Sequence, residues 1–247
     1  MRSVLFYTRC LASLIMFIFL LVPAARAEQG LTIAAGAGYK RLVEELCASY
    51  TTKTGVPVNK VFGNMGQITA QALESGAIDF IMGDKAFLDA SKLLFAEEFI
   101  IGRGKLVAAA AKGTKIENLD ALTEKGVQRI AIADSDKAIY GHAAKEFLTA
   151  KGIWQQIQPK LLVVGTVPQV TAYLLTGEVD VGFINLTEAL GIKDKVEVVF
   201  SIEERLYSPI LIVAKRLQES SNIEAAASFV AFLQSEQAQT LLKKQGL

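Results

Sequence analysis

The chain has 247 residues, with 26 basic and 25 acidic side chains, one histidine and two cysteines. So even a charge balance offers no basic face for nucleic acid, and so few histidines and cysteines exclude a zinc site of the Cys/His type. Half of the residues are apolar, which allows one large domain or two lobes of about 110 residues each.

The amino terminus has the layout of an export signal. Arg2 and Arg9 precede an apolar run over 11–22, and Ala25-Arg26-Ala27 is an A-x-A cleavage pattern. Cleavage after Ala27 leaves 28–247 with 23 basic and 25 acidic residues, a secreted or periplasmic protein. The run is too short for a confident membrane span, and no second one of spanning length follows. Cys47 is then the only cysteine, so no internal disulfide forms. It falls on the apolar side of a helical pattern and reads as a buried small residue, with a reactive thiol as the alternative.

From there the elements alternate. A strand over 31–35 turns at Gly36-Ala37-Gly38 into a helix whose apolar positions are Tyr39, Leu42, Val43, Leu46, Cys47 and Tyr50. Gly55-Val56-Pro57 ends it, and a strand follows over 56–62. A strand resumes at Asp79, and Gly83-Asp84 opens a helix to about residue 94. An extended segment over 95–102 leads past Arg103 and Lys105 into the apolar run 106–111, the first crossing between lobes. A short helix over 118–125, a strand over 129–134, a helix over 139–150 and a helical turn over 154–158 come next. Further strands follow over 161–164, 181–185 and 196–200. The segment 206–214 is a strand containing Pro209, hence bent or at an edge; it is the return crossing. Two amphipathic helices, 222–233 and 236–244, finish the first lobe. The pattern is α/β, with lobes at 28–104 plus 206–247 and at 105–205.

One pattern occurs twice. Residues 61–79 and 163–180 share Val, Gly, Gln, Thr, Ala and Leu at the same offsets, and Gly-x-[Ile/Val]-Asp after one deletion. In each copy a strand ends at a glycine, then comes a polar residue with Gln three positions on, Asn64…Gln67 and Thr166…Gln169, the layout of a capping box. Gly76 and Gly177 stop the helices, and Asp79 and Asp180 begin strands, where a carboxylate bonds a neighbouring turn. Such strand–helix–strand units build parallel sheets, whose ligands sit beyond the strand C-termini at helix starts. Bare N–H groups and a positive dipole end suit an anion there. Plain structural capping is the competing reading of either turn taken alone.

Catalytic motifs are lacking. His142 has no G-x-S-x-G partner, and there is no P-loop lysine pattern and no G-x-G-x-x-G after a strand. No catalytic residue, no metal ligand and no cofactor is assigned.

The strand–turn–helix start, the 61–84 stretch and the two crossings resemble the periplasmic molybdate-binding proteins of ABC importers, within the type II periplasmic binding-protein family. The resemblance is closest at 71–84, 131–146 and 180–189. It implies two Rossmann-like lobes joined by two crossing strands, a small anionic ligand in the cleft, a membrane ABC permease as partner, and a monomer without enzyme activity. Carried onto this chain, the ligand-binding positions are Gly36 and Ala37, Asn64, Gly66 and Gln67, Ile139, Tyr140 and Gly141, Thr166 and Val167, and Asn185. The family's usual serines are replaced in the first two turns, and a frequent tyrosine is Asn185. Asn64, Gln67, Thr166 and Asn185 are then the candidate side-chain donors. That substitution, with Arg103 and Lys105 nearby, supports an alternative ligand: a small organic anion or amino-acid-like molecule held by arginine.

Overall fold

The computed structural model describes residues 30–247; the export signal and its cleavage point lie outside them. The chain forms two five-stranded sheets, each flanked by helices. The first is built from β1 (Leu31–Gly36), β2 (Val58–Gly63), β3 (Phe80–Asp84), β4 (Phe95–Gly104) and β10 (Ile210–Leu217), in the order β2-β1-β3-β10-β4. The second comprises β5 (Leu106–Ala110), β6 (Ile130–Ala133), β7 (Leu161–Val164), β8 (Val181–Asn185) and β9 (Val198–Ser201), in the order β7-β6-β8-β5-β9. In each sheet three strands are parallel and an antiparallel strand lies between the third and the edge. The protein is thus an α/β molecule of two lobes.

Each lobe is assembled around one copy of the repeat. The first copy is β2, helix α2 (Met65–Ser75) and β3; the second is β7, helix α6 (Val167–Thr176) and β8. In both, the helix carries the chain over the strand that precedes the repeat, so β1 and β6 lie between the two repeat strands. Gly76 (φ 56°) and Gly177 (φ 72°) end the helices in the left-handed region, which a side chain adopts only with strain. Asp79 accepts from Thr32 N at 2.8 Å and Ser220 Oγ at 2.6 Å. Asp180 accepts from the Gln128 and Arg129 amides at 2.6 and 2.8 Å. Each carboxylate pins its strand to a neighbouring turn.

Helix α1 (Lys40–Thr54) buries Leu42, Val43, Leu46, Cys47 and Tyr50, as its periodicity predicts. Burial pushes the Cys47 thiol up to about 12, so this thiol stays protonated and unreactive. Tyr50 packs edge-on against Phe229 of helix α8 (Ile223–Leu233), at 5.2 Å between centroids, and Phe80 meets the same ring at 5.3 Å. Aromatic edges on faces thereby join β3, α1 and α8 into one core.

Three expectations change. The helix expected over 83–94 is only five residues, α3 (Lys85–Asp89), because Gly83 and Asp84 pair with β10 as the end of β3. The Ser91 hydroxyl donates to Leu88 O at 2.7 Å and accepts from Leu93 N at 3.3 Å, supplying a turn that competes with the helix. The strand at 56–62 begins only after Pro57, which lacks an N–H. Pro209 stands before β10 rather than inside it, and β10 is an inner strand, with register shifts at Ile212/Val213 and Arg216/Leu217. Removing the proline from the ladder is what permits the interior position. The chain crosses between sheets twice, at Gly104-Lys105 and over 202–209, each time from an edge strand to an inner strand.

Candidate functional site

Four helix starts meet between the two sheets, two from each. From the first come Gly36, Ala37, Gly38 and Tyr39 ahead of α1, and Gly63, Asn64 and Met65 at α2. From the second come Ala138, Ile139 and Tyr140 at helix α4 (Ile139–Ala150), and Thr166 and Val167 at α6. All four follow the C-terminal ends of parallel strands, and they enclose a cavity of about 20 Å³. That exceeds the roughly 10–15 Å³ that seats one water. The two copies of the repeat therefore line one hollow.

The lining contains no Asp, Glu, Lys, Arg or His. It combines the backbone of the four turns with uncharged side chains such as Tyr39, Met65, Ile139, Tyr140 and Val167. A helix leaves its first N–H groups without intrahelical partners and concentrates roughly half an elementary positive charge at that end. At α2, Gln67 N bonds Asn64 Oδ1 and Asn64 N bonds Gln67 Oε1, both at 2.9 Å, a complete capping box. In the second copy Gln169 Oε1 accepts from Thr166 N at 3.1 Å. The caps fix both turns, while Pro168 at the second helical position removes one donor from α6.

The Tyr39 and Tyr140 hydroxyls hydrogen-bond each other across the lobes. Burial raises both phenols far above their ordinary value, so both are neutral. They sit over Gly104 at the first crossing, where an added Cβ would fall on the Tyr140 hydroxyl and lie 2.7 Å from that of Tyr39. A pair of phenols has one hydroxyl hydrogen to spare beyond its mutual bond.

Of the predicted positions, Gly36, Ala37, Asn64, Ile139, Tyr140, Thr166 and Val167 line the cavity, and Gly66, Gln67, Gly141 and Asn185 do not. Gly66 N donates across the lobes to Lys137 O at 3.3 Å. The Gln67 side chain is committed to its cap. Gly141 presses against the Ala133 and Asp134 carbonyls, where a Cβ has no room. Asn185, fully buried, donates from Nδ2 to Gly38 O at 2.9 Å. Asn64 Nδ2 donates to Gly165 O at 3.1 Å, joining the twin turns. Three amides expected to face a ligand thus make bonds within the protein. Arg103 and Lys105 lie off the cavity, and both pair with Glu204, at 3.3 and 4.0 Å. Exposed His142 pairs with Glu146 at 3.3 Å, and Glu146 accepts from Ser208 N and Oγ at 2.7 Å.

The predicted positions omit Gly38, Tyr39, Gly63, Met65 and Ala138. Tyr39 carried a signal only as an apolar helix position; its hydroxyl partner is 101 residues away. Met65 lines the cavity, and its sulfur fills the space left by Gly83, where a Cβ would lie 2.5 Å from Sδ.

Two lobes with a cavity at the helix starts between them define a binding protein for a small solute. Residues 31–247 match the family of bacterial extracellular solute-binding proteins, and the chain belongs to that family. It is 27% identical over 232 residues to the molybdate-binding protein ModA of Rhodobacter capsulatus, covering 92% of this chain and 90% of that one. It is 30% identical over 207 residues to a putative binding protein of Haemophilus influenzae, covering 78% and 82%. Among solved structures, the periplasmic molybdate-binding protein of Azotobacter vinelandii superposes with a TM-score of 0.81 at 21% identity, over 87% of this chain and 97% of that one. L-Phospholactate-bound PEB3 superposes at 0.68 with 18% identity, over 87% and 98%. Among the described residues no helix is long and apolar enough to cross a membrane.

Proposed function

We propose that the protein is the exported receptor of an ABC importer and binds a small tetrahedral oxyanion of the molybdate and tungstate class between its lobes. The observation that carries this reading is the convergence of four helix starts on one cavity without a charged side chain. Backbone N–H groups and dipole ends stabilise an anion there, and neutral walls let it leave again for a permease. The names and coverage of the relatives support the same ligand class.

The anion is held by amides of the turns at Gly36-Ala37, Asn64-Met65, Ile139-Tyr140 and Thr166-Val167, with the spare hydroxyl hydrogen of the Tyr39–Tyr140 pair as a further donor. Gly66, Gln67, Gly141 and Asn185 shape these turns rather than touch the ligand. The lobes comprise 28–104 with 206–247, and 105–205, and they close by rotation about the two crossings. The exported protein starts at Glu28, acts in the periplasm as a monomer, and delivers ligand without chemistry: the lining places no carboxylate, imidazole or thiol beside a hydroxyl. An organic anion held by Arg103 is disfavoured, because Arg103 pairs with Glu204 away from the cavity.

Calorimetric titration with molybdate, tungstate, sulfate, phosphate and phospholactate tests the reading. Saturable one-to-one binding of molybdate or tungstate is expected. Heat and thermal stabilisation from phospholactate alone would reassign the ligand to an organic anion.

A further inference from the structure

We infer that Asn64 is a latch between the lobes, a positioning residue that sets how far the protein closes before any ligand arrives. The inference rests on closure of two lobes about a cavity, but not on which anion fills it.

Asn64 has both ends of its amide committed. Oδ1 caps α2 at Gln67 N, 2.9 Å, within the first lobe. Nδ2 crosses the cleft to Gly165 O, 3.1 Å, the carbonyl just before the second copy's own cap residue. One side chain therefore ties the two copies of the repeat turn to turn. The backbone of the same turn makes a second crossing, Gly66 N to Lys137 O at 3.3 Å. Further bonds join the lobes away from this turn: Asn185 Nδ2 to Gly38 O at 2.9 Å, Thr187 Oγ1 to Gln245 O at 2.9 Å, Arg41 to the Thr187 carbonyl, and the Tyr39–Tyr140 pair. Asn64 is 7% exposed, so its side chain has little freedom to turn to water, and its bond to Gly165 is partly buried. The cap makes the crossing effective, because it fixes the side chain before the lobes meet and little further rotamer freedom is lost on closing. The twin residue cannot do the same: a threonine hydroxyl is shorter than a carboxamide and offers one hydrogen rather than two.

The latch has a kinetic consequence. Closing contacts made within the protein favour the closed form with or without ligand, and the closed form traps ligand. Loss of the latch lowers the closed-to-open ratio by up to about tenfold, the range one net hydrogen bond covers. Ligand dissociation should quicken by a similar factor.

The test uses the chain from residue 28 with spin labels at Gln71→Cys and Ala172→Cys, exposed positions on the twin helices; Cys47 is buried and stays unlabelled. Protein is freed of molybdenum and checked by elemental analysis, and the inter-label distance is measured by pulsed dipolar spectroscopy. The unliganded chain should give a short distance in equilibrium with a longer one, and sodium molybdate should leave only the short one. Asn64→Ser and Asn64→Asp both keep an oxygen to cap α2 and both lose the crossing N–H. Each should raise the longer-distance fraction of the unliganded chain without lowering helix content. An unliganded wild-type chain with only the long distance, or both variants with the wild-type proportions, would overturn the latch. Because this readout needs no ligand, a failed molybdate titration leaves it intact.

Discussion

The two copies of the repeat agree in everything that builds a lobe and differ where the lobes meet. Both have the Gln that closes a cap, a left-handed glycine at the helix end, and an Asp that pins the next strand. At the tip, the first copy has Asn64 and Gly66, which reach across the cleft through a carboxamide and a free amide. The second has Thr166 and Pro168, a short hydroxyl and a residue with no amide hydrogen. The scaffold is duplicated, and the tips have separate jobs. One clasps, and the other receives the clasp at Gly165 O.

The comparison breaks most readily where both halves meet the tyrosine pair. Gly104→Ala puts a methyl on the Tyr140 hydroxyl and 2.8 Å from Ile210 Cγ2, in a crossing that cannot swing aside without moving both sheets. Overpacking of this kind costs about 1–3 kcal/mol. Urea unfolding should show that loss, and ligand affinity should fall by at least tenfold; unchanged stability and binding would remove the tyrosine pair from the hinge.

Next come the pinning aspartates. Asp79 is 8% exposed and accepts from a backbone amide and a serine hydroxyl, whereas Asp180 accepts from two amides at a more open site. Hydrogen bonds to a charged group contribute about 1.5–3 kcal/mol. Asp79→Ala should cost about 3 kcal/mol and Asp180→Ala about half of that, by denaturant titration. Equal losses would mean that the two strand starts are energetically interchangeable.

A smaller, asymmetric effect concerns acid. The first sheet carries Lys215, 5% exposed, between Asp89 and Glu98; Glu98 lies at 2.8 Å. The matching inner strand of the second sheet, β5, is wholly apolar. Hydrogen bonds from Lys215 and then Lys85 hold both carboxyls below their ordinary values. A depressed carboxyl contributes stability above its unfolded pKa, and that stability is lost as the pH falls through its folded pKa, below about pH 4. Amide exchange should therefore accelerate in β4 and β10 at lower acidity than in β5. Simultaneous loss in both sheets would show that the cluster is inert.

The smallest expected change is none. Arg103→Ala removes a guanidinium paired with Glu204 at an exposed site, where ion pairs contribute little. Ligand affinity should shift less than about twofold. A tenfold loss would return Arg103 to the binding site.

Legibility in the sequence followed the range of the forces. Caps, helix ends and pinned strands are local, and Asn64…Gln67, Gly76 and Asp79 announced them within nineteen residues. The α1 core face was legible because five buried positions keep one helical period. The short α3 was not, since the pairing of Gly83 and Asp84 with β10, some 130 residues on, decides it. Nor did the sequence reveal that Gly141 answers to two carbonyls, that Asn185 serves Gly38, or that Tyr39 finds Tyr140. Asn185 and Tyr39 depend on the other lobe, and Gly141 on how tightly the turn after β6 folds back under its helix.

The central claim is that backbone amides of four helix starts hold one anion. Its most direct test is a nitrogen–proton correlation spectrum of the chain during titration with sodium molybdate. The Ala37, Met65, Ile139 and Val167 amides should shift together and stop moving at one equivalent. Saturable shifts confined to one lobe, or centred on Arg103 and Lys105, would contradict it.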